Sequence, residues 1–346
     1  MEFLRPEFEE TITPTIKDGV ISIGSLPPYK GVDILNFAGP EAYKQVFQEW
    51  LREEWLPSRR ERRDELLKLH ANETHYADLC KIVASGGAIP FVGSGMSVPT
   101  GMPTWAGFLR AVRLKSPTFT ADALEDCLRQ GQYEEAASRI SGCMPHQLFK
   151  ACFDEHFYAL EPDDVDGPVR LLPLLFQFTV VTTNFDAILE AVYTSNSKPF
   201  QSVLHASLVE NFRRECLNGR HCLLKIHGHH DTTSGRVLLR DEYERFYHPD
   251  SSGRRELALL FQRGGLLFLG CSLEQDRTMT LLKELADADR SMPRHYAFLK
   301  LPDPELVTAR EHFLAERNIF PIWFDGDHTP DIEALLVGLA DDLGRL

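Results

Sequence analysis

The sequence predicts an α/β protein built on a doubly wound parallel sheet of about six strands, with an inserted helical subdomain and an N-terminal helical extension. Two observations carry the sheet. Short apolar, β-rich runs recur at Ile89–Val92, Phe178–Thr182, Cys222–Ile226, Leu266–Leu269, Tyr296–Leu299 and Ile319–Phe324. None alternates apolar with polar residues, so each suits burial on both faces, as in a parallel sheet covered by helices. A third observation places the subdomain. The helical patterns Trp105–Val112, Ala121–Gln130, Glu134–Ile140 and Gln147–Phe157 exceed what one strand crossover needs, which predicts a separate helical cluster over about 105–176. Further helices are expected at Asp276–Ala288, Pro304–Arg317 and Pro330–Leu343.

The first 75 residues read differently and are taken as an extension to a main domain of residues 76–346. Residues 11–36 are rich in Thr, Ile, Gly and Pro, with short strands expected around Ile21–Pro28. After Gly39-Pro40, Phe47, Leu51 and Trp55 fall at i, i+4 and i+8, and Val46 and Trp50 widen the stripe into one apolar helical face. Pro57 is expected to end or kink that helix, and the charged run Arg59–Leu69 to resume as a second one. The charge run reads as a solvated face or as an arm that docks a partner chain. The aromatic stripe reads as internal core or as oligomer interface.

Composition narrows the function classes. The 51 acidic residues exceed the 37 basic ones, for a net charge of −14, which disfavours a broad electrostatic grip on nucleic acid or anionic membrane. The seven cysteines, at 80, 127, 143, 152, 216, 222 and 271, are odd in number and form no C-x-x-C pair. Reduced thiols in a cytoplasmic protein are therefore expected, and no zinc ribbon. The start MEFLRPEFEE has neither the basic nor the apolar region of a signal peptide. Apolar runs such as Leu171–Phe178 fall far short of the ~20 residues of a membrane span.

In an open parallel sheet, ligands bind beyond the carboxyl ends of the strands, so the segments after each strand bear the chemistry. The first is Gly93–Gly101, GSGMSVPTG. Gly93 and Gly95 permit φ > 0 and a close backbone approach, and the amides with the Ser94 and Ser97 hydroxyls are suited to a phosphate. Val98 stands where G-x-G-x-x-G has its third glycine, and no G-K-[ST] follows, so this is neither the dinucleotide fingerprint nor a P-loop. A plain tight turn is the alternative. The second strand ends in Thr182-Thr183-Asn184-Phe185-Asp186, where helix capping by Asn184 or Thr183 competes with a role in a site. The third ends in Lys225-Ile226-His227-Gly228-His229-His230-Asp231, and the fourth in Gly270-Cys271-Ser272.

Taken in this order, G-S-G-x-S, T-T-N-F-D, K-I-H-G and F-L-G-C-S with Asp276 four residues on resemble the sirtuin-like NAD-binding domain. The likeness covers about residues 80–325, and Trp105–Leu109 and Val237–Tyr243 are similar to its bacterial branch. The resemblance implies a Rossmann-like sheet with Asn184 and His227 as the catalytic pair and Asp186 beside the nicotinamide ribose. It further implies Gly93, Ser94, Gly95 and Ser97 around the pyrophosphate, Gly270 and Ser272 near the adenosine ribose, and Thr183 among the binding residues. Deacylase sirtuins carry two C-x-x-C pairs between the histidine and the later glycine-serine turn, whereas residues 228–269 hold no cysteine. Bacterial relatives without that zinc module are typically NAD-consuming effectors of antiviral defence, which cleave NAD+ to nicotinamide and ADP-ribose in abortive infection. Some are short chains that assemble with a HerA-type hexameric ATPase. With about 20 residues after the last strand, a fused C-terminal sensor is not expected. The resemblance thus implies NAD as substrate, no metal, a homo-oligomer, a HerA-type ATPase partner, and any nucleic-acid contact left to that partner.

Cleavage of the nicotinamide–ribose bond passes through an oxocarbenium-like state, so orientation, charge stabilisation and water placement are the protein's tasks. Asn184 brings one donor and one acceptor, enough to hold a water and a ribose hydroxyl. His227, with an ordinary pKa of about 6.5, can accept a proton near neutral pH, and Asp186 can orient a neighbour or stabilise charge. Three alternatives stand beside this. His227, His229, His230 and Asp231 form an H-x-H-H-D cluster with metal-ligand chemistry. NAD-dependent protein deacylation is the second, and a non-catalytic NAD or ADP-ribose-binding assembly subunit the third.

Overall fold

The computed structural model describes residues 1–12, 20–21, 29–116, 118–232, 235–274 and 276–346. They form two compact units, Met1–Asp64 and Glu65–Leu346. The first holds α1 (Arg5–Ile12), the paired short strands β1 (Val20–Ile21) and β2 (Tyr29–Lys30), α2 (Gly31–Phe37) and α3 (Pro40–Trp50). Of the strands expected around Ile21–Pro28, residues 22–28 lie outside the described residues. The aromatic stripe is internal core: Phe8 of α1 packs on Tyr43, Phe47 and Trp50 at ring distances of 5.2–5.6 Å. Val46, expected in the stripe, is instead 36% exposed, and Tyr43 is buried in its place. Pro57 does not break the helix. A π-turn over Leu51–Trp55, closed by Leu56 N–H donating to Leu51 O, precedes α4 (Leu56–Leu67). Widening the turn there accommodates a ring that lacks an N–H and would crowd the preceding carbonyls.

The second unit continues through α5 (Asn72–Ala84) to β3 (Ala88–Val92), then the helical cluster α6 (Trp105–Arg113), α7 (Ala121–Arg129), α8 (Tyr133–Gly142), α9 (His146–His156) and α10 (Leu172–Leu175). After it come β4 (Thr179–Thr182), α11 (Ile188–Ser195), β5 (Ser202–His205), α12 (Phe212–Leu217) and β6 (Cys222–Lys225). The remainder is α13 (Arg240–Phe246), α14 (Ser252–Arg263), β7 (Gly265–Leu269), α15 (Arg277–Ala288), β8 (His295–Lys300), α16 (Pro304–Ala315), β9 (Ile319–Phe324) and α17 (His328–Asp342). Among the described residues no helix is long and apolar enough to cross a membrane.

β3 to β9 form one parallel sheet of seven strands in the order β5-β6-β4-β3-β7-β8-β9. The inner strands are buried along nearly their whole length, as their uninterrupted apolar runs require. The additional strand, β5, pairs only with β6, and its Val203 is 39% exposed. With one flank and one face open, Ser-Val-Leu-His needs little apolar signal. β9, the other edge, tolerates Pro321 because an edge strand has no ladder partner on one side. Chain order reverses between β3 and β7, so the cleft beyond their carboxyl ends is the topological switch point where such sheets take ligands.

The helices of 105–157 bury a core of their own, with Phe108, Leu124, Ile140, Phe149, Phe153 and Phe157 at its centre. Thr104 and Thr120 cap α6 and α7, each hydroxyl accepting from the amide three residues on. Phe185, from the turn after β4, is part of this core, with its ring 5.0 Å from that of Phe153 and 5.4 Å from that of Phe157. The turn after β4 is thereby anchored in the helical cluster.

Candidate active site

The turns after β3 and β7 interlock. Gly93 N–H donates to Leu269 O at 2.8 Å, and Gly95 N–H to Gly270 O at 3.0 Å. A Cβ on Gly93 would stand 2.5 Å from Gly270 O, and one on Gly95 2.9 Å from Gly270 Cα. Gly270 has φ +66°, and a Cβ there would meet Met96 N at 2.5 Å. Neither Gly93 nor Gly95 takes the positive φ that the sequence suggested. These glycines let two backbones touch, which is a packing reason rather than a phosphate-binding one. Met96 and Ser97 amides close on Gly93 O and Ser94 O, forming short 3₁₀ turns instead of the N-terminus of an α-helix.

The turn after β4 is pinned to the same place. Thr182 Oγ1 donates to Val92 O at 2.8 Å and accepts from Asn184 N–H at 3.0 Å. Asn184 does not cap α11. Its amide nitrogen lies 3.0 Å from both Gly93 O and Ser97 Oγ. Gly93 O can only accept, so the group facing it is the NH2, and both of its protons are engaged. Asn184 therefore offers a ligand its Oδ1 acceptor alone, not the donor and acceptor expected from sequence. Ser97 is 2% exposed and stands behind the wall as a bracket for Asn184 and Asp186, which corrects its expected place around a pyrophosphate. Asp186 is buried and accepts from Ile188 N–H at 3.1 Å, the capping role of this turn. Burial raises its pKa, opposed by the nearby charge of Lys225.

Lys225 closes β6 and is 1% exposed. Its ammonium donates to Asp186 O and, at 2.9 Å, to Glu190 Oε1. His229 Nε2 lies 3.2 Å from the same carboxylate oxygen, and its Nδ1 2.6 Å from Asp231. Burial alone would raise the Glu190 pKa, but Lys225 and His229 overcome it and hold the group at about 2. Both nitrogens of His229 are thus committed to carboxylates. Among the described residues no group of three His, Cys, Asp or Glu side chains is placed to hold a metal ion.

Two residues beyond Lys225, His227 reaches the cavity. Its Nδ1 lies 3.3 Å from Tyr243 Oη, and its buried Nε2 has no partner among the described residues. No carboxylate compensates the burial, which lowers the pKa to about 3. The imidazole is neutral at pH 7, a form able to accept a proton but with less affinity for it than an unperturbed histidine.

Gly93, Ser94, Gly95, Thr183, Asn184, Asp186, His227, Gly270 and Ser272 all line one cavity of about 1210 Å3. Of the residues expected from sequence, only Ser97 is off its wall. Sequence reading missed Tyr243 as a partner of His227, Lys225 and Glu190 as supports of the Asp186 turn, and Arg310 on the wall. A lysine inside the apolar run CLLKI was a usable signal, because a charge there must be paired. Asp276 also lines the cavity, and it caps α15 by accepting from Met279 N–H at 2.8 Å.

A parallel α/β sheet with a ligand cavity at its switch point is the class that fold and site define. Within it, residues 179–322 match the family of the SIR2-like domain. The match runs from β4 into β9 and takes in Asn184, Asp186, His227, Gly270 and Ser272. SIR2-like domains are in general NAD-dependent enzymes, in deacylation or in NAD cleavage, so the match supports NAD-related chemistry. No curated protein matches the chain.

Proposed function

We propose that the chain is an NAD glycohydrolase that cleaves NAD+ to nicotinamide and ADP-ribose. The observation that carries this reading is the meeting of Asn184 and His227, from two strand ends, in one cavity with the Gly93–Gly95 and Gly270–Ser272 turns. Asn184 Oδ1 is an acceptor, and His227 Nε2 is a covered acceptor with no partner among the described residues; once Nε2 is opened to the cavity the two suit the two protons of a water molecule. Its oxygen then adds to the anomeric carbon as the carbon–nitrogen bond breaks, nicotinamide leaves neutral, and His227 takes the proton. In an oxocarbenium-like process the water becomes acidic only as it bonds to carbon, so a base of low affinity serves late in the step. For Nε2 to accept, Nδ1 must carry the proton and donate to Tyr243 Oη.

The test follows nicotinamide release from NAD+ by the full chain, alone and with a HerA-type ATPase. Asn184→Ala and His227→Ala are each expected to lower the rate about 10²–10⁴-fold. Unchanged turnover in either variant refutes the assignment. Release that requires an acyl-lysine peptide favours the deacylase instead, a reading weakened by the lack of cysteine in residues 228–269. NAD binding without turnover favours the assembly subunit.

On the same reading the chain is an effector of bacterial antiviral defence, restrained by homo-oligomerisation or by a HerA-type ATPase. Support comes from the sequence resemblance and from the separate N-terminal unit with its own aromatic core. Deleting residues 1–64 is expected to change the number of subunits per assembly in light scattering; an unchanged number removes that unit from assembly.

A further inference from the structure

The interlocked turns leave a substrate problem. A dinucleotide brings a diphosphate with two negative charges, yet the amides of Gly93, Gly95, Met96 and Ser97 are already bonded to backbone carbonyls. Residues 93–109 contain no lysine or arginine. Ser94 is what this loop has to offer, and a counter-charge must come from elsewhere on the wall.

Among the described residues five lysine and arginine side chains line the cavity: Arg139, Arg240, Arg277, Lys300 and Arg310. Arg240 is held by Glu135 at 3.1 Å and Glu244 at 3.0 Å. Arg277 is clasped by both carboxylate oxygens of Glu134 at 2.6–3.1 Å. Arg139 lies over the Phe119 ring of the helical cluster, and Lys300 donates to Asp325 O and Gly326 O. Arg310 differs from the two clasped arginines. Its guanidinium donates to Ser272 O at 2.6 Å and lies 5.2 Å from the centre of the Phe313 ring. Among the described residues no carboxylate reaches it within the 4.0 Å of an ion pair.

Its position relates it to the glycine loop. Ser94 adjoins Gly95, Gly95 bonds to Gly270, and Ser272, two residues further, holds Arg310. The free serine and the guanidinium thus flank the same pair of turns. We propose that Arg310 is the cation that binds the diphosphate of the dinucleotide, a role that rests on the NAD reading above. With one of its five N–H donors committed to Ser272 O, the fork retains donors for two phosphate oxygens. Burial disfavours the arginine charge, and an anion seated there relieves that penalty. The tie to Ser272 O holds the group in place before the ligand arrives.

The experiment is calorimetric binding of ADP-ribose and of adenosine to the full chain, wild type against Arg310→Gln and Arg310→Lys. Arg310→Gln is expected to weaken ADP-ribose binding about 10–100-fold and to leave adenosine within about 2-fold, since adenosine has no phosphate. Arg310→Lys, which keeps the charge and loses the fork, is expected between wild type and Arg310→Gln, and it carries the comparison if the glutamine variant does not fold. An unchanged ADP-ribose affinity overturns the proposal. So does an equal loss for both ligands, which is the mark of a merely structural tie to Ser272. Wild-type protein that binds no ADP-ribose overturns the NAD reading itself, a result distinct from failure at Arg310 alone.

Discussion

Replacing Gly93 by alanine separates two explanations of the glycine loop. If glycine is there for the ligand, the variant folds normally and binds poorly. If it is there for the contact between turns, the ligand-free protein is already damaged. The added Cβ would stand 2.5 Å from Gly270 O and 2.7 Å from Cys271 Sγ, where ordinary contacts begin at 3.4 Å. The neighbours are backbone and a half-buried thiol, so the turns must part by roughly the 0.9 Å shortfall. Overpacking of this kind costs about 1–3 kcal/mol. At about 2–4 °C per kcal/mol for a domain of this size, thermal unfolding should show it clearly. Gly142→Ala is the control: nothing lies within 4 Å of its Cβ, and helix propensity predicts a neutral or slightly stabilising change. Because Asn184 Nδ2 bonds to Gly93 O, the same shift moves Asn184, and a displacement near 1 Å lowers turnover about 10²-fold. The decisive measurement is denaturant unfolding of ligand-free protein. Wild-type stability in Gly93→Ala, with only ligand affinity lost, refutes the packing explanation.

Other perturbations have equally definite outcomes. Glu190→Gln leaves Lys225 charged in a 1% exposed position, and a loss of about 3–5 kcal/mol is expected in chemical denaturation; replacing both members by Lys225→Met with Glu190→Leu should recover part of it, and strict additivity would argue against the pair. His295 is fully buried, accepts from Leu266 N–H through Nδ1, and burial lowers its pKa to about 3. It favours the folded state fully above about pH 6.5, and that contribution is lost as pH falls toward 3, with a slope of up to about 1.4 kcal/mol per pH unit. His295→Asn keeps the acceptor, so acid titrations of stability should lose one proton's worth of slope; an unchanged slope sinks the idea. Tyr243→Phe removes the hydroxyl at His227 Nδ1 and should lower kcat about 2–10-fold with KM unchanged, whereas a rise in KM alone would point to substrate contact instead.

The strand–helix order is legible in local pattern, because doubly buried strands must be continuously apolar and cluster helices must show a stripe. The same logic hid β5, whose edge position asks for only Val203 and Leu204 between polar ends. Strand-end residues were legible as site candidates because a parallel sheet puts all its carboxyl ends along one edge, and Asn184, His227 and Gly270 do share one cavity. The lack of cysteine between 228 and 269 is likewise a fact of sequence. How those residues are spent on one another depends on contacts between distant parts of the chain. Glycine codes equally for a ligand's approach and a neighbouring backbone's, and only the placement of Gly270 beside Gly93 tells which. Asparagine carries donors and an acceptor in any sequence; the carbonyl of Gly93 takes the donors. Histidine has an ordinary proton affinity until burial without a carboxylate lowers it, as at His227. Pairing, burial and contact join residues far apart in the chain, and local pattern carries no record of them.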